Sequence, residues 1–406
     1  MNAGPAIPAP DETGRERHVG EIFTVFLKLG LTSFGGPIAH IGYFHRELVV
    51  RRRWLPETGF ADLVGLGQFL PGPASSQVGF AVGVVRGGWW GGIVAWSAFT
   101  LPSALAMLLF AYLASALSGP IAGQAIHGLK LVAVPIVAQA LVDMTRKLAP
   151  DLARRLIAIA AAVFMLGVAQ PAMQIVAILL GGLVGLCLCR QSVGAARGAT
   201  GWRPSRRVGG ACLAVFALLL IGLPIAASAL HAPLLSLAAI FYRAGALVFG
   251  GGHVVLPLLR AGLVPHWVSD ARFLAGYGAA QAMPGPLFTL ASYLGAVAMP
   301  TTSLIGAAVA VVALSLPGLL LMAGALPFQA ALQRSIPARA ALAGINAAVI
   351  GILAAALYEP LWTTAVRGVG DMAVALVAFV LLTRLRWPPL AIVVLTVLAS
   401  LLLPLV

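Results

Sequence analysis

The chain is 406 residues long, 60% hydrophobic and only 9% charged, with a mean hydropathy of +0.99, a balance far outside that of water-soluble domains. That composition marks an integral membrane protein and leaves no room for a cytosolic catalytic domain, a nucleotide-binding cassette or a DNA-binding module. The net charge of +14 comes from Lys and Arg in short loops between apolar runs, as the positive-inside rule describes, and no nucleic-acid partner is expected.

Residues 1–20 contain no continuous apolar core and read as a cytoplasmic tail, not a cleavable signal. If a spanning helix takes ~20 apolar residues, runs near 90–115, 125–145, 153–169, 172–189, 208–228, 303–327, 338–358, 369–385 and 388–406 qualify as ordinary spans. Regions 22–44 and 60–85 in the first half, and 233–258 and 273–298 in the second, are apolar but interrupted by Gly and Pro. Cys187, Cys189 and Cys212 sit in or beside apolar runs without CxxC or Cys/His spacing, so they are packing residues.

The interrupted regions repeat. Phe26-x-Lys28-x-Gly30 with Phe34-Gly35-Gly36 returns as Phe241-x-Arg243-x-Gly245 with Phe249-Gly250-Gly251. Trp54, Glu57, Phe60, Gln68 and Pro71-Gly72-Pro73 return as Trp267, Asp270, Phe273, Gln281 and Pro284-Gly285-Pro286, all at an offset of 213 residues. Leu101-Pro102 recurs as Leu316-Pro317, and Gly128-x-Lys130 as Gly344-x-Asn346. So many unusual positions in register mean an internal duplication.

Residues 208–228 form an unpaired helix between the copies, which puts the second copy upside down. Loop charge agrees: Arg51, Arg52 and Arg53 fall inside with most other basic loop residues, while Arg260, Arg272 and Arg367 fall outside. Re-entrant segments are favoured only weakly over full crossings, and both versions give inverted repeats. The expected fold is an all-α polytopic membrane protein of two inverted-topology repeats, with broken or re-entrant helices meeting near the midplane. Its expected parts are a tail (1–20), a first repeat (21–195), a basic loop and connecting helix (196–230) and a second repeat (231–406). This is the pattern of secondary transporters, which bind substrate between the repeats. Broken backbone survives in a membrane only where protein or a wet cavity surrounds it.

The sharpest motif is Gln68-Phe-Leu-Pro71-Gly72-Pro73-Ala-Ser75-Ser76-Gln77. A helix starting after Pro73 directs free N–H groups and its positive dipole end into the protein, and Ser75, Ser76 and Gln77 add polar groups. The second copy offers Pro284, Gly285, Pro286 and Thr289, with Ser292 beyond. The competing reading is a Pro-kinked helix with packing glycines. Gly35 and Gly36, with Gly250 and Gly251, either line the substrate or serve close helix packing.

Intramembrane cations are functional candidates. Lys28 and Arg243 are repeat mates that either attract an anion or snorkel to the interface. Lys130 lies within an apolar run, with Gln139 or a carbonyl as a candidate partner, and Arg86 is either a guard at the cytoplasmic mouth or an ordinary loop charge. His40 and His253 flank the glycine motifs and titrate near neutral pH, which suits proton coupling or a plain hydrogen-bonded role. The carboxylates lie in the tail, in loops or at helix ends, and only Asp62 and Asp143 approach an apolar run. With no acidic cluster for a cation, and no HExxH or Ser/His/Asp grouping, an anion is the expected substrate. No enzymatic activity, metal or cofactor is expected.

At FLKLGLTSFGGPIAHIGYFHRELVVRRRWL, FADLVGLGQFLPGPASSQ, FGGGHVVLPLL and QAMPGP the chain resembles the chromate ion transporter (CHR) family, ChrA-like proteins. The resemblance spans nearly the whole chain. It implies chromate export across a bacterial inner membrane, driven by the proton motive force, with sulfate as the competing dianion. A transporter or channel for another inorganic anion is the alternative. The lipid bilayer is the expected surround, with a homodimer as an open assembly state.

Overall fold

The computed structural model describes residues 15–116, 119–168, 173–189, 205–329, 332 and 335–402. The expected tail up to residue 14 and the basic stretch 190–204 lie outside the described residues. Among the described residues every regular element is helical. The first repeat holds α1 (Arg15–Thr32), α2 (Gly36–Phe44), α3 (Glu57–Phe69), α4 (Ala74–Ala116), α5 (Pro120–Leu131), α6 (Ala133–Leu148), α7 (Leu152–Gly167) and α8 (Met173–Leu188). After the connecting α9 (Arg206–Leu230), the second holds α10 (Pro233–Leu247), α11 (Val255–Leu263), α12 (Asp270–Ala282), α13 (Leu290–Ala298), α14 (Ser303–Ala325), α15 (Ile336–Ala356), α16 (Val369–Thr383) and α17 (Pro389–Leu402).

Each repeat opens with two helical hairpins that enter and leave by the same end. Phe26 of α1 meets Phe44 of α2 edge to face, with centroids 5.6 Å apart, and Arg52 reaches back to Glu21 at 2.8 Å. Contacts between residues on either side of the Ser33–Gly35 break mean that α2 returns to where α1 began. From Glu21 to Thr32 the helix rises about 16 Å at ~1.5 Å per residue, near half of a ~30 Å hydrocarbon core, so the tip lies at mid-depth. α3 enters beside it and breaks at Leu70–Pro73, and the first arm of α4 returns, leaving Arg86 3.6 Å from Glu21. The Arg52 and Arg86 guanidiniums both lie over Trp54. At Gly87–Gly88 the helical dihedrals fail and α4 folds back on itself, with Gly83 against Gly91 and Ala95. The broken segments of the first repeat are therefore re-entrant.

The second repeat copies these contacts. Gly262 lies against Ile240 across the α10–α11 tip, Arg260 pairs with Asp270 at 2.7 Å, and Gly295 packs on Gly306 and Ala310 as Gly83 does on Gly91 and Ala95. Among the described residues five helical stretches are long and apolar enough to span: 74–114, of which the part after the Gly87–Gly88 turn makes the crossing, 121–148, 206–230, 300–328 and 336–365. α7, α8, α16 and α17 are shorter apolar helices of 14 to 16 residues. α9 packs at the outside of the bundle, where the Tyr242 hydroxyl of α10 donates to the Phe216 carbonyl and Gly209 lies against Gly324 of α14, and only 6% of its apolar window is buried.

The inversion follows from two hydrogen bonds. Tyr112, late in α4, meets Ser303 at the start of α14 at 2.6 Å, while just past the end of α14 Gln329 Nε2 donates to the Asp62 carbonyl of α3 at 3.0 Å. α14 therefore runs opposite to the outgoing arm of α4, its repeat mate. We call the end carrying Glu21, Arg52 and Arg86 proximal, and the end carrying Arg260 and Asp270 distal.

The repeats are also interleaved. Gly128 of α5 lies against the main chain of Thr396 and Val397 in α17, and its mate Gly344 in α15 lies against Gly181 and Gly185 of α8. Where lipid tails are as apolar as Leu, close backbone approach at small residues supplies the attraction that the hydrophobic effect cannot. Single cysteines at Arg51 and His266, both exposed, should react with an impermeant maleimide from opposite faces of sealed vesicles. Labelling of both from one face would rule out the inverted arrangement.

Candidate functional site

The four hairpin tips converge at the centre of the molecule and bond to each other across the repeat boundary. The Gly72 N–H donates to the Val248 carbonyl at 2.7 Å, and the Gly285 N–H donates to the Ser33 carbonyl at 2.8 Å. Gly72 and Gly285 are mates, as are Ser33 and Val248, so this is one bond made twice about a two-fold axis. Each proline-glycine tip also packs on the other repeat's crossing helix. A Cβ on Gly72 would lie 2.8 Å from Gly318 Cα, and one on Gly285 2.8 Å from Ser103 Oγ, again mates. With φ of 125° at Gly72 and 88° at Gly285, both positions need glycine for backbone shape as well as for space.

Around these tips lies a cavity of about 480 Å³. Main chain from all four tips lines it, at Gly35 and Gly36, Gly72, Gly250 and Gly251, and Gly285. Side-chain amides of Gln68, Gln139, Gln281 and Asn346 add polar groups, with His253, Asp143 and Lys147. The cavity reaches Lys147 and Leu148 at the end of α6, Trp387 between α16 and α17, and Pro389 at the start of α17, which places its mouth at the proximal end. A chamber walled by glycine main chain, amides and one lysine offers many hydrogen-bond donors and little negative charge.

The residues singled out in the sequence divide between the cavity and the structure that supports it. Ser75, Ser76 and Gln77 follow the first tip but turn inward and are buried. Gln77 Nε2 donates to the Pro71 carbonyl at 2.8 Å and to the Gly318 carbonyl at 3.0 Å, holding the tip to the opposite repeat. In the second copy the Thr289 hydroxyl donates to the Pro286 carbonyl at 2.8 Å and Ser292 to the Ala104 carbonyl at 2.7 Å. Pro71, Pro73, Pro284 and Pro286 shape the loops without lining the cavity. His40 is buried, 3.4 Å from Ser75 Oγ and edge-on to Phe99, whereas His253 lines the cavity and shares a 2.6 Å hydrogen bond with the Tyr277 hydroxyl.

Of the four cations marked in the sequence, none lines the cavity. Lys28 and Arg243 face outward and are exposed, and Arg86 is engaged by Glu21 and Trp54. Lys130 is buried. The lysine that does line it, Lys147, stands with Gln139 and Asp143 at spacings of four along α6, one helical face. That polar stripe on an otherwise apolar helix was the sequence signal for this wall.

The sequence profile of the chromate transporter family matches residues 20–186 and again residues 235–402. The chain belongs to the chromate transporter family. The two matches coincide with the two structural repeats on either side of α9. A chromate transport protein of Cupriavidus metallidurans is 29% identical over 388 residues, covering 93% of this chain and 89% of that protein. One from Pseudomonas aeruginosa is 29% identical over 353 residues, covering 86% and 82%. An uncharacterized transporter of Bacillus subtilis, YwrA, is 30% identical over 131 residues, which is 32% of this chain but 71% of that protein, so a relative exists on the scale of one repeat. No solved structure matches the chain.

The tip geometry orders the effects of substitution. Gly72→Val and Gly285→Val should each abolish flux and lower thermal stability in detergent, since a left-handed residue with a branched side chain is strained by ~1–3 kcal/mol before any clash. Gly285→Ala should be milder than Gly72→Ala, because the Ser103 hydroxyl can swing away whereas the Gly318 backbone cannot. A thermal-shift series on the four purified variants checks the order.

Proposed function

We propose that this protein is a secondary transporter that carries chromate from the cytoplasm outward across the bacterial inner membrane, coupled to the proton motive force, with sulfate as a competing dianion. The observation that carries the reading is the central cavity. It is bounded by both repeats, open at one end, lined by donors and containing one carboxylate, Asp143. A tetrahedral dianion leaving water needs several converging donors, and the tip main chain with Gln68, Gln139 and Gln281 is placed to supply them. Gly35, Gly36, Gly250 and Gly251 form the floor of that site, and the Pro71–Pro73 and Pro284–Pro286 loops hold it in shape.

The proximal end is the cytoplasmic one in this reading. Arg51, Arg53, Arg146, Lys147, Arg384 and Arg386 gather there, against Arg260, Arg272 and Arg367 at the distal end, and cytoplasmic loops carry the Lys/Arg excess. The cavity is then open inward, ready to load a cytoplasmic anion. Lys147 attracts the anion near the mouth, with Arg86, Lys28 and Arg243 contributing only long-range field. His253, at the cavity wall, is the better placed of the two histidines to carry a coupling proton, and His40 steadies the first tip through Ser75.

Inverted membrane vesicles loaded with an acidic lumen and given radiolabelled chromate test this directly. Uptake should saturate, fall with added sulfate, and collapse when the pH gradient is dissipated. A flux that stays linear with concentration and ignores the gradient would mean a channel and would sink the carrier reading.

A further inference from the structure

The two repeats match closely at their tips but differ at one interface, and that difference identifies the moving parts. At the distal end α12 is docked on α5, with Gly278 so close to the Leu129 carbonyl that a Cβ there has no space. The two-fold operation relates Gly278 to Gly65 and α5 to α15, so the matching contact would set Gly65 of α3 against Ile345. Gly65 and Gln68 are instead exposed, and the cavity occupies the proximal side between α3 and α15. One gate is shut and its copy is open.

The same operation pairs Lys130 on α5 with Asn346 on α15, adjoining the gate residues Leu129 and Ile345. Asn346 is 7% exposed and lines the open cavity, and its buried Oδ1, 3.4 Å from a Cβ built on Gly250, has no hydrogen-bond partner, so no bond stops the amide turning its Nδ2–H2 donor toward an anion in the cavity. Lys130 is also 7% exposed, on the helix that α12 covers. It makes no ion pair or hydrogen bond among the described residues. Its Nζ is not fully enclosed, and an ammonium at this depth without an acidic partner among the described residues is a candidate anion ligand.

We propose that Asn346 and Lys130 are alternate ligands of the transported anion. Asn346 serves the proximal-open state, and Lys130 serves the distal-open state once α12 leaves α5 and α3 docks on α15. This rests on the carrier reading above and adds which helices gate and which two side chains exchange. At this pair the ligand is a neutral amide on the loading side and a cation on the other, because the two copies carry Asn346 and Lys130 at equivalent positions.

The test uses the full-length protein in oriented vesicles, with Cys187, Cys189 and Cys212 replaced by Ser. Asn346→Cys should label with an impermeant maleimide from the proximal face and Lys130→Cys from the distal face. Gly65→Cys with Ile345→Cys should form a disulfide on mild oxidation, halt chromate flux until reduced, and raise distal labelling of Lys130→Cys several-fold.

Kinetics separate a ligand from a packing role. Asn346→Leu should raise KM for chromate about tenfold when the proximal face is loaded, and Lys130→Leu should do so when the distal face is loaded, with Lys130→Arg recovering most of the loss. Equal KM changes from both faces, labelling of Asn346→Cys and Lys130→Cys from one face, or no disulfide in a transporting Gly65→Cys/Ile345→Cys protein would each overturn the proposal. Wild-type vesicles that move no chromate would instead refute the carrier reading, while the labelling and disulfide results still report on the gates.

Discussion

Everything in this fold depends on how the broken backbone at mid-depth is satisfied. Lipid offers no partner for a free N–H or C=O, and each one left bare costs several kcal/mol. The protein solves this by making each repeat complete the other: the Gly72 N–H reaches Val248, and the Gly285 N–H reaches Ser33. Neither half can close its own tips, so the centre exists only as a product of both. That is a physical reason for two copies to be held in one chain and inverted, since only opposed hairpins bring four tips to one level.

The glycines and prolines serve this meeting. Gly72 and Gly285 let main chain touch the opposite crossing helix, and Gln77 ties the Pro71 and Gly318 carbonyls together from the side. At the periphery the same logic recurs with Gly128 on α17 and Gly344 on α8. The result is a midplane tied across the repeat boundary, with interleaved flanks. The docked α12–α5 interface and the parted α3–α15 interface are, on the reading proposed above, two states of one contact, and the cavity lies between the parted pair.

The site was legible in part, for reasons that particular residues make plain. Gly35, Gly36, Gly72, Gly250, Gly251 and Gly285 stood out because unusual residues recurred in register, and all six line the cavity. Ser75, Ser76 and Gln77 were equally conspicuous, yet successive residues on a helix point about 100° apart, and packing turned these three into the protein. Lys28 and Arg243 were marked by charge and repetition, but a long side chain near a helix surface can find water, and both are exposed. Lys147 was passed over, and Gln139 and Asp143 were noted only singly, as a candidate partner of Lys130 and as a carboxylate near an apolar run, because their shared face appears only with the four-residue spacing.

The sequence alone determined the class, the duplication and the inversion, because hydropathy, fixed offsets and loop charge are properties of the chain that need no contacts to read. It also carried the family signatures. It left open whether the broken segments cross or return, and that was decided by pairs such as Phe26 with Phe44 and Glu21 with Arg52, which are distant in sequence and meet only after folding. Likewise the chain shows Lys130 and Asn346 as equivalent positions, but only the tertiary structure makes one the wall of an open cavity and the other the neighbour of a closed gate. A symmetric sequence pattern is compatible with either gate shut, and the choice between them is made by packing across the repeat boundary.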